Sequence, residues 1–159
     1  MEALKLILIV GPTASGKTAA SIYAAIKLNG EIVSADSIQV YKGMDIGSAK
    51  PTMQERQGIP HHLMDAIDIN SPKFSVAEFR KMAGEAIEDI AGRGKQPIVV
   101  GGTGLYINSL VFPLNFTEVQ SDEKLRSELS EIEERQGRGT LHAMLQEEDP
   151  ESAARLHPN

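Results

Sequence analysis

Gly11-Pro12-Thr13-Ala14-Ser15-Gly16-Lys17-Thr18 sets two glycines, a lysine and a hydroxyl at the spacing G-x-x-x-x-G-K-[ST]. Glycine lets successive backbone amides turn inward without Cβ clashes, so such a loop forms a concave anion nest. A helix that begins near Lys17 adds its positive end to the nest. Lys17 supplies a mobile positive charge for a terminal phosphate, and the Thr18 hydroxyl is the ligand type that Mg2+ takes here. The chemistry is capture of a diphosphate or a nucleotide with a metal ion. The loop does not say which molecule carries the diphosphate.

Other residues narrow the choice. A GTPase base reader, Asn-Lys-x-Asp, is missing from the sequence. Asp89-Ile90-Ala91-Gly92 matches D-x-x-G but closes a helical pattern with no strand in front of it. A hydrolysing ATPase ends an apolar strand in Asp to hold Mg2+. The corresponding strand here ends in glycine, which leaves only Asp36. Asp36 closes the second apolar strand, on the rim where open α/β sheets bind ligands. It is read either as a general base facing the nest or as a carboxylate that caps its own loop or supports Mg2+ from outside. His61 and His62 are adjacent in an extended segment and point opposite ways, so a metal pair is not expected. Gly101, Gly102 and Gly104 do not complete G-x-G-x-x-G, since position 107 is Ile. They are expected to permit close backbone approach beside the nest. With no cysteine, Cys-ligated zinc and a thiol nucleophile are excluded.

The elements that must hold these residues follow from periodicity. Residues 4–10 are apolar and β-branched, a buried strand of a parallel sheet. Ala-rich sequence from Gly16 to about Leu28 predicts a helix, which Asn29-Gly30 ends. A second strand is expected over 31–36, and residues 41–74 are rich in Gly and Pro. Ser75 and Glu78 form a capping-box pattern before a helix with Val76, Phe79, Ala83, Ala86, Ile87 and Ile90 on one face. Residues 97–100 make a third strand, and a short helix follows Gly104. Strand and helix alternate, which predicts an α/β fold: a P-loop NTPase-like parallel sheet with flanking helices. After Pro113 three helix signals follow. Ser121 caps one, Thr140 precedes the second, and Asp149-Pro150 opens the third with Pro at its first position. The expected organisation is an α/β core over 1–115 and a mainly helical inserted subdomain beginning at 116–159.

Hydrophobic residues are 41% and charged residues 24% of the 159, ordinary for a globular chain. The run at 6–10 is too short to span a bilayer, so no membrane contact and a cytoplasmic location are expected. Residues 1–112 carry eleven acids and eleven Lys or Arg, and residues 113–159 carry eleven acids and five, which is the whole net charge of −6. Nucleic-acid binders usually show a basic face, and these sums show none.

Taken in order, the motif at 11–18, the block Ser34-Ala35-Asp36-Ser37-Ile38-Gln39-Val40-Tyr41-Lys42-Gly43-Met44-Asp45-Ile46-Gly47-Ser48-Ala49-Lys50-Pro51, then Pro60-His61-His62-Leu63 and Gly101-Gly102-Thr103-Gly104-Leu105-Tyr106 strongly resemble the tRNA dimethylallyltransferase family. The resemblance implies transfer of a dimethylallyl group from dimethylallyl diphosphate to the exocyclic amine of the adenosine 3′ of the anticodon. It implies that Gly11, Pro12, Thr13, Ala14, Ser15, Gly16, Lys17 and Thr18 hold the diphosphate, with Lys17 on its oxygens and Thr18 on Mg2+. Asp36 would be the general base. Asp36, Ser37, Ile38, Gln39 and Thr103 would contact the tRNA anticodon stem-loop, and Arg126 one of its phosphates. The helices after Pro113 would match the family's inserted, stem-loop-gripping domain. The family's pattern continues past Asn159, so the sequence is expected to be the N-terminal part of a longer, monomeric enzyme.

Two other readings share the nest. A small P-loop kinase would move phosphate from ATP to a metabolite and would need a lid and catalytic arginines. A nucleotide-gated interaction module would bind a partner without turnover.

Overall fold

The structure is a computed structural model that describes residues 5–71, 74–113 and 122–158. The chain divides into two compact units, Met1–Phe116 and Thr117–Asn159.

The first unit contains β1 (Ile7–Val10), α1 (Lys17–Leu28), β2 (Gly30–Ala35), α2 (Met53–Arg56), β3 (His61–His62), α3 (Val76–Gly92), β4 (Gln96–Gly101) and α4 (Gly104–Val111). The strands are all parallel and lie in the order β1-β4-β2-β3, which bears out the α/β reading. Cross-strand neighbours share a face, so Ile32 beside Ile98 and Val33 beside Val99 build two cores on opposite sides. Ile32 and Ile98 pack with Ile22 and Ala25 of α1. Val33 and Val99 pack with Phe79, Ala83, Ile87 and Ile90 of α3 and with Tyr106 of α4. Phe79 and Tyr106 stack at 4.2 Å between ring centroids, which fastens α4 to α3.

Local rules explain most helix ends. Ser75 accepts from the Glu78 amide while Glu78 receives the Ser75 amide, the reciprocal cap expected from sequence. A second such box, Thr52 with Glu55, opens α2 in the stretch read as loop. The end of α1 differs in detail from expectation. Asn29, with φ 51°, takes the left-handed cap, and Gly30 already belongs to β2. A Cβ on Gly30 would lie 2.6 Å from the Gln96 carbonyl, so this glycine serves close strand approach instead of a turn.

The second unit holds α5 (Glu123–Gln136), α6 (Thr140–Glu148) and α7 (Pro150–Arg155). Asp122 caps α5 through its carboxylate, 2.9 Å from the Leu125 amide; Ser121, the cap expected from sequence, lies outside the described residues. Asp149 caps α7 with Pro150 at its first position, as read. His142 on α6 lies with Nε2 3.1 Å from the carbonyls of Ala153 and Leu156, tying α6 to the end of α7.

One buried charge anchors the start of β2. Glu31 is 2% exposed and accepts two hydrogen bonds from Arg93 at 2.7 and 2.8 Å and one from Lys95 at 2.6 Å, with His62 Nε2 2.7 Å away. The Arg93 guanidinium, followed by Lys95 and His62, outweighs burial and holds this carboxyl far below the usual carboxylate range. A depressed folded-state value means that Glu31 stabilises the fold fully above its ordinary value near 4.5 and progressively less as the pH falls below it. Glu31→Gln should therefore cost about 3 kcal/mol at pH 7, a melting-point drop of roughly 6–12 °C, and the deficit should shrink when melts are repeated toward pH 3. A deficit independent of pH would show that packing, and not the ion cluster, sets its size.

Candidate functional site

Three strands end at one level. Val10 of β1 pairs with Gly101 of β4, and Gly101 with Ala35 of β2, so the loops that leave them start side by side. These loops are residues 11–16, 102–103 and 36–39, on the carboxyl edge where a parallel sheet binds ligands. The glycines make the approach possible. A Cβ on Gly101 would lie 2.1 Å from the Ala35 carbonyl oxygen, and one on Gly102 would lie 3.2 Å from that of Gly11. This is the close backbone approach expected from the sequence at 101 and 102; at Gly104, the first residue of α4, a Cβ would meet nothing within 4 Å, so that glycine is not needed for approach.

In the first loop, Ala14 (φ 63°) and Gly16 (φ 81°) take left-handed conformations, which turn the chain into α1. The helix has no side-chain cap at Gly16. Among the described residues, no backbone amide of residues 13–19 donates to a protein acceptor. These unfilled donors stand at a helix N-terminus, the arrangement that receives an anion. The Lys17 ammonium folds back over the loop and donates to the Pro12 carbonyl at 2.5 Å.

The second loop carries Asp36. Its Oδ1 accepts from the amides of Ile38 at 2.9 Å and Gln39 at 3.1 Å, while Oδ2 has no partner among the described residues. Thr103 ties the third loop to the second: its amide donates to Ala35 O at 3.4 Å and its Oγ1 accepts from the Ser37 amide at 3.2 Å. The Gln39 side-chain amide donates to the carbonyls of Ser48 and Ala49 at 3.0 and 3.2 Å. Ile38 is 44% exposed.

These loops surround a cleft of about 660 Å3. Residues 13–18, Asp36, Gln39 and Gly101 line it. Ala19, Ile22, Tyr23 and Ile26 of α1 also line it, as do Ser48, Ala49, Glu55 and Gln57. The expected site residues 13–18, Asp36 and Gln39 thus meet in one cavity, with Ser37 and Thr103 joined at its rim. Arg126 is exposed on α5, in the second unit. Sequence reading missed the α1 residues, although 19, 22, 23 and 26 recur at helical spacing.

It also missed Lys50. Its side chain is 4% exposed, and Nζ donates to Tyr41 O at 3.1 Å, Asp45 Oδ1 at 2.8 Å and Asp65 Oδ1 at 2.6 Å. Burial pushes this ammonium down, but Asp45 and Asp65 outweigh it and leave it above its ordinary value. Lys50 thereby fixes the segment that presents Ser48 and Ala49 to the cleft.

Metal chemistry has one protein donor set here. The Thr18 hydroxyl has no hydrogen-bond partner among the described residues and lines the cleft with Asp36. No group of three or more His, Cys, Asp or Glu among the described residues could hold a metal by itself. A hard oxygen donor completed by phosphate oxygens suits Mg2+, which takes one or two protein ligands and keeps the rest from substrate and water.

The family model for IPP transferase matches residues 39–159. The chain belongs to the IPP transferase family. The tRNA dimethylallyltransferase of Exiguobacterium sp. is 54% identical over 159 residues, covering 100% of this chain and 51% of that protein. That of Caldanaerobacter subterraneus is 50% identical over 157 residues, 99% of this chain and 50% of its own length. The loop at 11–18 precedes the matched part of the family model, but the Exiguobacterium alignment includes it. A solved eukaryotic dimethylallyltransferase acting on tRNA superposes with a TM-score of 0.80 at 40% identity, covering 99% of this chain and 39% of that one. The tRNA isopentenylpyrophosphate transferase of Bacillus halodurans gives 0.70 at 48%, covering 99% and 52%. The chain spans about half the length of the curated relatives it matches. Among the described residues no helix is long and apolar enough to cross a membrane.

If the nest is the anion site of this IPP transferase family member, inorganic diphosphate should bind it and Lys17→Met should weaken binding by about ten- to a hundredfold in calorimetric titration. Equal affinity for both proteins would place the anion elsewhere.

Proposed function

We propose that this chain binds dimethylallyl diphosphate and directs its dimethylallyl group to the exocyclic amine of the adenosine 3′ of the tRNA anticodon. The observation that carries this reading is the pairing, in one cleft, of a nest of unfilled amides with a carboxylate whose second oxygen is free. The names of the relatives support the same reaction.

Charge sets the mechanism. As the allylic C–O bond breaks, its electron pair goes to the leaving diphosphate. The amides of residues 13–19 and the Lys17 ammonium already face that developing charge, so little reorganisation is needed. Mg2+, held by the Thr18 hydroxyl and diphosphate oxygens, would supply further neutralisation of the leaving group when bound. The adenine amine attacks the allylic carbon, and the C–N bond forms as a proton leaves nitrogen. Asp36 takes that proton at Oδ2, since Oδ1 is engaged by Ile38 and Gln39. The base must leave its stack to reach this depth. Ser37, Ile38, Gln39 and Thr103 are proposed as contacts to the displaced nucleotide, with Arg126 on a phosphate.

The kinase reading is less well supported. Lys17 is the sole cation among the described residues that line the cleft, whereas phosphoryl transfer draws on additional arginines to neutralise three equatorial oxygens.

Single-turnover incubation of this chain, in excess, with labelled dimethylallyl diphosphate and an anticodon stem-loop should label adenosine slowly and release diphosphate, since the chain spans about half the length of the relatives it matches. Asp36→Asn should slow that step by roughly two to four decades and leave the affinity for inorganic diphosphate within about twofold. Unchanged turnover would remove Asp36 as the base, and formation of ADP from ATP in place of label transfer would establish the kinase.

A further inference from the structure

The side chain of Lys50 is 4% exposed, yet Lys50 does not line the cleft. A buried ion pair is a weak way to gain stability, because desolvation offsets most of the attraction between the charges. What such a pair does is fix where chain segments lie. Lys50 Nζ has three protons and three acceptors, the Tyr41 carbonyl, Asp45 Oδ1 and Asp65 Oδ1. The ammonium therefore keeps no proton for a ligand and acts only through the residues it joins.

Two of the joined segments meet at Gln39. On one side, the Gln39 side-chain amide donates to the carbonyls of Ser48 and Ala49, immediately before Lys50. On the other, the Gln39 carbonyl accepts from the Asp65 amide at 3.1 Å. The Gln39 amide then donates to Asp36 Oδ1 at 3.1 Å. One residue thus stands between the ammonium clamp and the carboxylate. The backbone bears the mark of this constraint. Ala49 and Asp65 have φ of 51° and 56°, left-handed values that non-glycine residues seldom adopt. Both lie in the segments that Lys50 gathers, and such conformations persist where the surroundings over-determine them.

We propose that Lys50 is a positioning residue for the proton acceptor: by clamping residues 41, 45 and 65 it holds Gln39, and Gln39 together with Ile38 keeps Asp36 in one orientation. The proposal rests on the reading of Asp36 as the base, and it adds a residue outside the cleft that the reaction depends on. A methionine at position 50 fills a similar volume but gathers no carboxylate. The segments that carry Ser48, Ala49 and Asp65 then lose their common anchor, and Gln39 and Asp36 gain freedom before the substrate arrives.

The test compares Lys50→Met and Asp45→Ala with a control, Ile87→Val, in the 159-residue chain. Ile87 is a core residue of α3, and its truncation lowers stability without touching the clamp. Single-turnover transfer by Lys50→Met should fall about ten- to a hundredfold, while inorganic diphosphate binds within about twofold of the parent. In an Asp36→Asn background the same substitution should slow transfer by less than about threefold, because its route to the chemistry is already cut. Hydrogen exchange at the Ile38 and Gln39 amides should quicken about tenfold in Lys50→Met and keep the parental rate in Ile87→Val. The Asp45 side chain is 68% exposed, so Asp45→Ala should fold even if Lys50→Met does not, with the same pattern at about threefold. Unchanged exchange at Ile38 and Gln39 in the clamp variants, an equal loss of rate with and without Asp36, or a loss matched by Ile87→Val would overturn the positioning role and leave Asp36 standing as the base. Absence of transfer by the parent chain would bring down the donor reading instead, and exchange at Ile38 and Gln39 would still decide whether the clamp reaches Asp36.

Discussion

The common level at which Val10, Gly101 and Ala35 end is the constraint from which the site follows. The central strand of the three has to close in glycine, because any Cβ at position 101 would lie 2.1 Å from the Ala35 carbonyl. That removes the central strand as a carrier of a metal-binding Asp, the position a hydrolytic P-loop enzyme uses. The rim's carboxylate stands one strand further out, on Asp36. Asp36, Gly101 and the nest line one cleft.

Asp36 shows why two readings of one residue need not compete. A carboxylate that caps a loop and a carboxylate that accepts a proton look like alternatives in sequence. In the structure Oδ1 makes the cap and Oδ2 has no partner among the described residues, so the proposed base role and the cap fall on different oxygens. Oδ1 is fixed by the Ile38 and Gln39 amides, and that fixes where Oδ2 points. A base placed this way loses little freedom when the substrate arrives, which is the usual requirement for an efficient proton acceptor. The loop behind it is held in turn by Lys50, whose three acceptors come from residues 41, 45 and 65. A loop so fastened opens less readily than its glycine content suggests.

What could be read from the chain beforehand was what short-range chemistry decides. The nest, the alternation of strand and helix, the Ser75 box and the Asp149-Pro150 start each depend on neighbours a few residues away. What could not be read depends on distant partners. Gly30 looked like a helix stop because the Gln96 carbonyl that requires it lies on another strand. Glu31 looked like an ordinary charge in a strand, since Arg93 and Lys95 are 62 and 64 residues away. Lys50 belongs to a residue type that is almost never buried unless paired, and its pairs are set by the loop's path. The α1 residues that line the cleft were legible as apolar periodicity, but periodicity alone does not separate a core face from a cleft face.

The distribution of cations bears on the objection raised by the acidic balance of the chain. Arg93 and Lys95 are taken up by Glu31, and Lys50 and Arg56 by Asp65. The positive character of the cleft therefore comes from one ammonium and a set of backbone dipoles. Dipoles converge on a point and fade within a turn of helix, whereas arrays of lysine and arginine act along a surface. A site built from dipoles favours a compact, highly charged group such as a diphosphate and gives little attraction to an extended polyanion. Within the first unit, whose acids balance its lysines and arginines over residues 1–112, the local dipoles at the nest do not have to overcome any net negative charge. Recognition of a nucleic acid by that unit would then depend on the shape and stacking of one displaced nucleotide, with its phosphates contributing less than they do in a basic groove.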